Sequence, residues 1–423
     1  MNKHAAHAEA TIQSLLNVVS RYGTPTYAYD FCVIRDQIER LRSILPPSVD
    51  LLYSLKANPS LGICRLMAAT GLGADVASSG ELVSVLKAGF PPDGIFVSGP
   101  YKSPEVLAHV AAHPAVTLSI DSVSELRAIV NGTRSYRAVL RLRPDYDSCA
   151  VVNTGAGSRF GISYGELTEC HEYLKSQAID LVGFHVFSGS QMLSATDVIE
   201  HLRGATELSF RASELLRIEP KVLNLGGGFG IPYGVDDREL ELEPIEEELS
   251  VLVDRASPAK IVIELGRYLV AQAGWYLTTV VACQTNEGRR AVVVDGGTHH
   301  RSDVCRLGLR TRSFPPLALN GKRQPIVGTD VLGCLCLPDD VLAEASALPP
   351  LEIGDVLAFA NAGAYGLSAA PALFLSHPMP AEVAFEGTAM ELLRTRQTTD
   401  SIVADQNLVS LSGKNFIPHQ PAE

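Results

Sequence analysis

The run LLYSLKANPS (residues 51–60) carries an apolar stretch into a single lysine, Lys56, just before an Asn-Pro turn. An amine held on a strand end and partly stripped of water loses its proton more readily and can bond covalently to an aldehyde. Further along, VLNLGGG closes on Gly226, Gly227 and Gly228, a triplet able to turn backbone N–H groups toward a phosphate. Arg267, with Gly266 before it in KIVIELGR, adds charge, and Ser188 in HVFSG adds a hydroxyl. Glu264 supplies an acid within reach of the same space, and His185 an imidazole. Amine, anion cradle and carboxylate are a set whose members lie far apart in the chain, so the fold must gather them.

The elements that would do so alternate regularly. Apolar or β-branched runs at 51–58, 72–78, 93–100, 116–122, 138–144, 181–189, 222–228 and 260–267 are separated by segments of helical period, such as SVSELRAIV and DVIEHLRGATELSFRASELLR. Eight strands alternating with helices predict an α/β fold, a (β/α)8 TIM barrel, because each parallel strand needs a crossover to return to the same end. A doubly wound open sheet is the rival, but it calls for a glycine-rich turn after the first strand, where this chain has KANPS. Beyond residue 270 strand-like pieces follow one another across Gly, Pro and Asn turns, which predicts a C-terminal, mainly antiparallel β domain. The expected division is a barrel over 30–275, with 1–29 and 276–423 forming the second domain. RSFPPLALNGKRQP (312–325) reads as a mobile loop.

Barrel enzymes place their chemistry at the C-terminal ends of the strands. Those ends carry Lys56, Asp75 with Ser78, Ser98, Asp121, Arg141 with Arg143, His185 with Ser188, the three glycines, and Glu264 with Arg267. Lysine, phosphate cradle and acid together describe a pocket for pyridoxal phosphate, in which the acid pairs with the pyridinium nitrogen. Each residue also has a plainer reading: a snorkelling lysine, a core histidine, glycines that only turn the chain. Their convergence on one barrel end favours the pocket.

Composition narrows the partners. The formal charge of -12, from 47 acidic and 35 basic residues, opposes binding to nucleic acid or an anionic membrane. The N-terminal segment reads as an amphipathic helix interrupted by Glu9, unlike a signal peptide, and no apolar run approaches the roughly 20 residues of a membrane span. The expected setting is cytoplasmic. Eight cysteines without C-x-x-C spacing suggest neither disulfides nor a zinc site. The pair His299-His300, if on a strand, points to opposite faces with no set of ligands to complete a site, so no metal is expected.

The segments YSLKAN, HVFSGSQ, LNLGGGFGIPY, ELGRYLVAQAG, VVVDGGTHH, CLCLPDD and NAGAYGLSAAPALFLSHPMPAEV occur in the order and spacing of one family. The chain resembles the fold-type III pyridoxal phosphate decarboxylases, the ornithine, arginine and diaminopimelate decarboxylase family with its alanine racemase-like fold, over nearly its whole length. That resemblance implies a head-to-tail homodimer with shared active sites. It implies Lys56 as the lysine bonded to the cofactor, His185 stacking on its ring, and Glu264 at the pyridine nitrogen. Ser188, Gly226, Gly227, Gly228, Gly266, Arg267 and Tyr365 would lie on the phosphate side, with Asp75 and Arg141 as supporting partners. Cys336 would enter the neighbouring protomer's site to meet substrate and deliver a proton, with Asp340 and Tyr365 also on the substrate side. Glu264 separates the chain from the family's racemases, which place an arginine there, and the retained Lys56 separates it from non-catalytic regulators. Leu337 stands where diaminopimelate decarboxylases carry glutamate and where ornithine and lysine enzymes carry aspartate nearby. The motifs are most similar to decarboxylases of specialised metabolite biosynthesis, the butirosin-pathway subgroup that acts on glutamyl-acyl carrier protein. The implied substrate is therefore an acidic amino acid, free or held on an acyl carrier protein, with Arg301, Arg306, Arg310 and Arg312 as a basic cluster suited to the carrier.

Overall fold

A computed structural model describes residues 3–407 except 133, 148–149, 154–156, 287, 302–312 and 321–325. Eight parallel strands close into a barrel: Asp50–Ser54, Gly73–Val76, Ile95–Val97, Thr117–Ile120, Tyr136–Leu142, Ile179–Val186, Val222–Gly227 and Lys260–Leu265. They neighbour one another in chain order, and the last pairs with the first through Val262↔Asp50 and Leu265↔Tyr53. Helices between them present apolar stripes to the outside of the barrel, and serine caps begin several. Ser78, Ser103 and Ser122 each accept a hydrogen bond from the backbone N–H three residues on. Ser78, one of the residues at the strand ends, thus uses its hydroxyl to start a helix. Inside the barrel, Leu52, Phe96, Val139, Val182, Val222 and Val262 form an apolar plug toward the N-terminal end. Polar groups are thereby confined to the opposite mouth.

The second sheet is mainly antiparallel and is built on the long strand Gly274–Asn286. The strand Thr26–Asp30, from before the barrel, lies between that strand and Ala381–Glu386, so the two ends of the chain meet in one sheet. Two pairings are parallel: Thr26–Asp30 with Ala381–Glu386, and Arg289–Val294 with Ile326–Leu332. Of the loop expected at 312–325, residues 312 and 321–325 lie outside the described residues. The part that is described is ordered by pairing, since Leu317–Ala318 joins Val356–Phe359 and Leu319 is buried. No helix among the described residues is long and apolar enough to cross a membrane.

The sheet reaches the barrel mouth through residues 361–366. Asn361 donates from Nδ2 to Pro232 O at 2.8 Å, and Asn58 donates to Gly363 O at 3.0 Å. Tyr365, at φ 55°, donates its backbone N–H to Ala57 O at 2.7 Å. A Cβ on Gly363 would fall 1.8 Å from Val270 O, so only glycine allows this approach.

Candidate active site

Lys56 sits on the turn Leu55–Ala57 that follows the first barrel strand, and its side chain lines a cavity at the C-terminal mouth. Glu264 and Arg267 line that cavity from the last strand and the short helix after it, with Gly228 and Phe229 beyond the seventh strand and Tyr365 above. A larger hollow at the other end of the barrel is cut off from Lys56 by Leu52, Phe96, Val222 and Val262 of the plug.

Charge in the mouth is tightly organised. Asp75, buried, lies with Oδ2 3.8 Å from Lys56 Nζ and accepts from Ser54 Oγ at 3.2 Å; Ser98 Oγ also donates to it. Desolvation pulls the Lys56 pKa down, as the sequence led us to expect. The carboxylates of Asp75 and Glu264, together with Tyr365, outweigh it, so the net direction is upward and the ammonium form is favoured. Asp75 is therefore the counter-ion of Lys56. Glu264 is buried, accepts from Asn224 Nδ2 at 2.5 Å, and is pushed up to about 8, first by burial and then by Asp75. Arg267, also buried, donates from Nη1 to Tyr233 OH at 2.8 Å and stacks over the Tyr365 ring at 4.7 Å. Its Nε has no hydrogen-bond partner among the described residues.

Two expected cofactor contacts, His185 and Ser188, do not line the cavity. His185 is buried, with Nδ1 2.8 Å from Ser119 Oγ and Nε2 3.6 Å from Glu264 Oε1. Burial, then Arg141, Lys56 and Lys102, hold this imidazole neutral. The ring on the cavity wall is Phe187, two residues on, whose face lies 4.9 Å from Lys56 Nζ. Ser188 is fully buried and bonds to His201 Nδ1 at 2.7 Å, while His201 Nε2 donates to Leu225 O at 2.7 Å. Ser190 lines the cavity instead. The sixth strand ends at Val186, and beyond it Phe187 and Ser190, not Ser188, line the cavity.

Of the glycine triplet, Gly228 lines the cavity; the other two serve close packing. A Cβ on Gly226 would meet Val186 O at 2.7 Å, and one on Gly227 would meet Glu264 O at 2.1 Å. Gly266, also on the cavity, would bring a Cβ to 2.9 Å from that of Ala57, so it keeps Lys56's turn close to Glu264. Arg141 donates to Asp121 at 3.0 Å, and Arg143 donates to Gly161 O at 2.8 Å, so both stand as supports.

The second domain places the remaining expected residues. Asp340 was expected on the substrate side, but it is buried and accepts from Thr298 N at 2.7 Å, Thr298 Oγ1 at 2.8 Å and Leu335 N at 2.7 Å. It clasps two loops together. Cys336, on the second of those loops, is exposed and does not line this protomer's cavity. His299 and His300 lie in a turn and not on a strand, with ring centroids 3.8 Å apart. Arg301 is buried over Phe359 at 5.1 Å, so it is no docking residue; Arg306, Arg310 and Arg312 lie outside the described residues.

A barrel whose mouth holds an amine paired with an acid, a second buried acid and a half-satisfied arginine is the site of an enzyme that works on carbonyl and amine groups through a bound aldehyde. Residues 32–271 match the model of the pyridoxal-dependent decarboxylase, pyridoxal binding domain, and the chain belongs to that family of pyridoxal phosphate-dependent amino-acid carboxy-lyases. It is 33% identical to the L-glutamyl-[BtrI acyl-carrier protein] decarboxylase of Niallia circulans, covering 92% of this chain and 95% of that one. Identity to the diaminopimelate decarboxylase of Aquifex aeolicus is 29%, over 92% and 93%. The crystal structure of diaminopimelate decarboxylase from Helicobacter pylori complexed with L-lysine superposes with a TM-score of 0.81 at 27% identity, over 91% and 97%.

The residues present fit the cofactor. A cavity amine is available to its aldehyde, a buried carboxyl to its ring nitrogen, and an unpaired Arg267 Nε beside Gly228 to its phosphate.

Proposed function

We propose that this enzyme removes the α-carboxyl of an acidic amino acid, glutamyl or aspartyl, presented on an acyl carrier protein. The observation that carries the substrate class is Leu337. An exposed leucine directly follows Cys336, so that position offers apolar surface and no acid for a distal ammonium; the first exposed acid of the loop, Asp339, comes two residues later. The 33% identity to a carrier-protein decarboxylase over 92% of the chain supports the same reading.

When bound, the cofactor supplies an electron-withdrawing ring that takes up the pair of electrons left by departing carbon dioxide. In our reading Lys56 attaches it, with Asp75 holding that amine in place between turnovers. Phe187 forms one wall for the ring. Ser190, Gly228, Arg267 and Tyr365 hold the phosphate end, and Glu264 keeps a proton at the ring nitrogen by pairing with its charge. Cys336 of one protomer serves its partner's site, giving a proton to the α-carbon so that the product leaves as an amine. An exposed apolar run, Leu373, Phe374 and Leu375, follows the segment that carries Tyr365 and supports a homodimer with shared sites. The described cysteines are free, which favours a cytoplasmic setting.

The test is a panel of free and carrier-loaded glutamate and aspartate, with free diaminopimelate, ornithine and lysine, read by mass for loss of carbon dioxide. Product from a loaded carrier alone is the expected result. Turnover of a free diamino acid in preference to the loaded acids would overturn it.

A further inference from the structure

Three side chains from separate parts of the second domain converge, none of them lining the Lys56 cavity. His299 lies in the turn after the strand Arg289–Val294, Cys334 follows the strand Ile326–Leu332, and His377 follows the short turn Phe374–Ser376. A ring nitrogen of each histidine and the cysteine Sγ all lie within 4.8 Å of one another. His299 is 1% exposed, and neither of its ring nitrogens has a hydrogen-bond partner among the described residues. Folding seldom leaves both nitrogens of a buried imidazole unanswered. Its neighbour shows the usual arrangement: His300 Nδ1 lies 3.0 Å from Tyr276 OH, and Nε2 lies 3.2 Å from Pro378 O.

The backbone around the cluster is fixed from all sides. Asp340 ties Thr298, next to His299, to Leu335, next to Cys334. Cys334 N donates to Gly296 O at 2.9 Å, and His300's contact with Pro378 holds the residue after His377. The three side chains are thus brought together by contacts that do not involve their own polar atoms.

We propose that His299, Cys334 and His377 form a zinc site, with a fourth position open to water or an incoming ligand. Two imidazoles and one thiolate are a borderline-soft set suited to Zn2+ and unsuited to Mg2+ or Ca2+. Zn–N and Zn–S bonds of roughly 2.0 and 2.3 Å require the ligand atoms to draw in by about 1 Å. Cys334 and His377 are half-buried and can rotate to do so. Binding replaces the thiol proton, which passes to solvent, with a metal–sulfur bond; no electron is transferred. The ion would also anchor the loop that carries Cys336, two residues from Cys334.

Cobalt reports on such a site. Cofactor-replete protein titrated with Co2+ is expected to develop the intense visible d–d bands of a four-coordinate ion, saturating at one equivalent per chain, and Zn2+ should abolish them. Cys334→Ser should shift these bands by removing the sulfur ligand, and His377→Asn should weaken binding at least tenfold, with circular dichroism and Tm confirming that each variant is folded. Should either variant fail to fold, the other decides. Weak six-coordinate bands, or a spectrum that both folded variants leave unchanged, would overturn the proposal.

Discussion

Replacing Glu264 by glutamine should damage catalysis and stabilise the cofactor-free protein, and both effects follow from the same burial. The carboxyl is 4% exposed, touches Asn224 Nδ2 at 2.5 Å, and faces Asp75 across the mouth. Its pKa rises from an ordinary 4.5 to about 8. Below pH 4.5 the proton is on in both folded and unfolded chains. As pH climbs toward 8 the unfolded chain gives it up while the folded chain retains it, so stability falls with pH throughout that window. Above 8 both are ionised and the loss is complete. At 1.36 kcal/mol per pH unit, the interval from 4.5 to about 8 amounts to roughly 5 kcal/mol at most. Glutamine keeps the acceptor for Asn224 and has no proton to lose, so the variant should lack this slope.

The assay is denaturant unfolding of cofactor-free protein across this pH range, followed by far-ultraviolet circular dichroism because the helices ring the barrel. Wild type and variant should be close in stability at the acid end and diverge steadily toward pH 8, the variant being the more stable. In the loaded enzyme the order reverses: glutamine cannot pair as an anion with a protonated ring nitrogen, and kcat should fall by about 10²–10³. Parallel pH profiles for the two proteins would refute the buried-acid account. Unchanged kcat would refute the pairing.

Two further perturbations separate roles that neighbouring residues could be given. Ser190→Ala should weaken cofactor retention roughly ten- to a hundredfold, the worth of a hydrogen bond to a charged group, with little change in Tm. Ser188→Ala should retain the cofactor and lose about 1 kcal/mol of stability, because it takes the 2.7 Å partner from His201; the opposite pattern would make Ser188 the cofactor contact. For the shared site, Lys56→Ala and Cys336→Ala homodimers should both be impaired, whereas random exchange of their subunits should rebuild about a quarter of the sites in wild-type form. No recovery on mixing would place Cys336 outside the partner's site.

The barrel could be read from the sequence because its signal is periodic and local: each of the eight apolar runs became a strand within a few residues of the expected position. Lys56, Glu264 and Arg267 could be read too, since each sits at or just past a strand end, where direction is fixed by the barrel itself. Direction becomes illegible where regular backbone stops. Along the sixth strand Val182 and His185 both face inward only because the register slips between Leu181 and Gly183; the strand then ends one residue after His185, and the path beyond, not spacing, decides that Phe187 and Ser190 reach the cavity. Alternation does at least put Phe187 on the same face as His185, a signal that could have drawn attention to it.

Asp340 and His299 mark a deeper limit. An acid four residues after Cys336 draws attention as a substrate contact, and nothing local announces the three donors that hold it; two of them belong to Thr298, some forty residues back along the chain. The same long-range clasp is what brings His299 to Cys334. Spacing rules for metal sites find ligands that share a helix or a turn. Here each ligand comes from a different turn, and their meeting is a property of the sheet: Arg289–Val294 and Ile326–Leu332 run parallel, so the turns at their ends emerge side by side and carry His299 and Cys334 to the same edge.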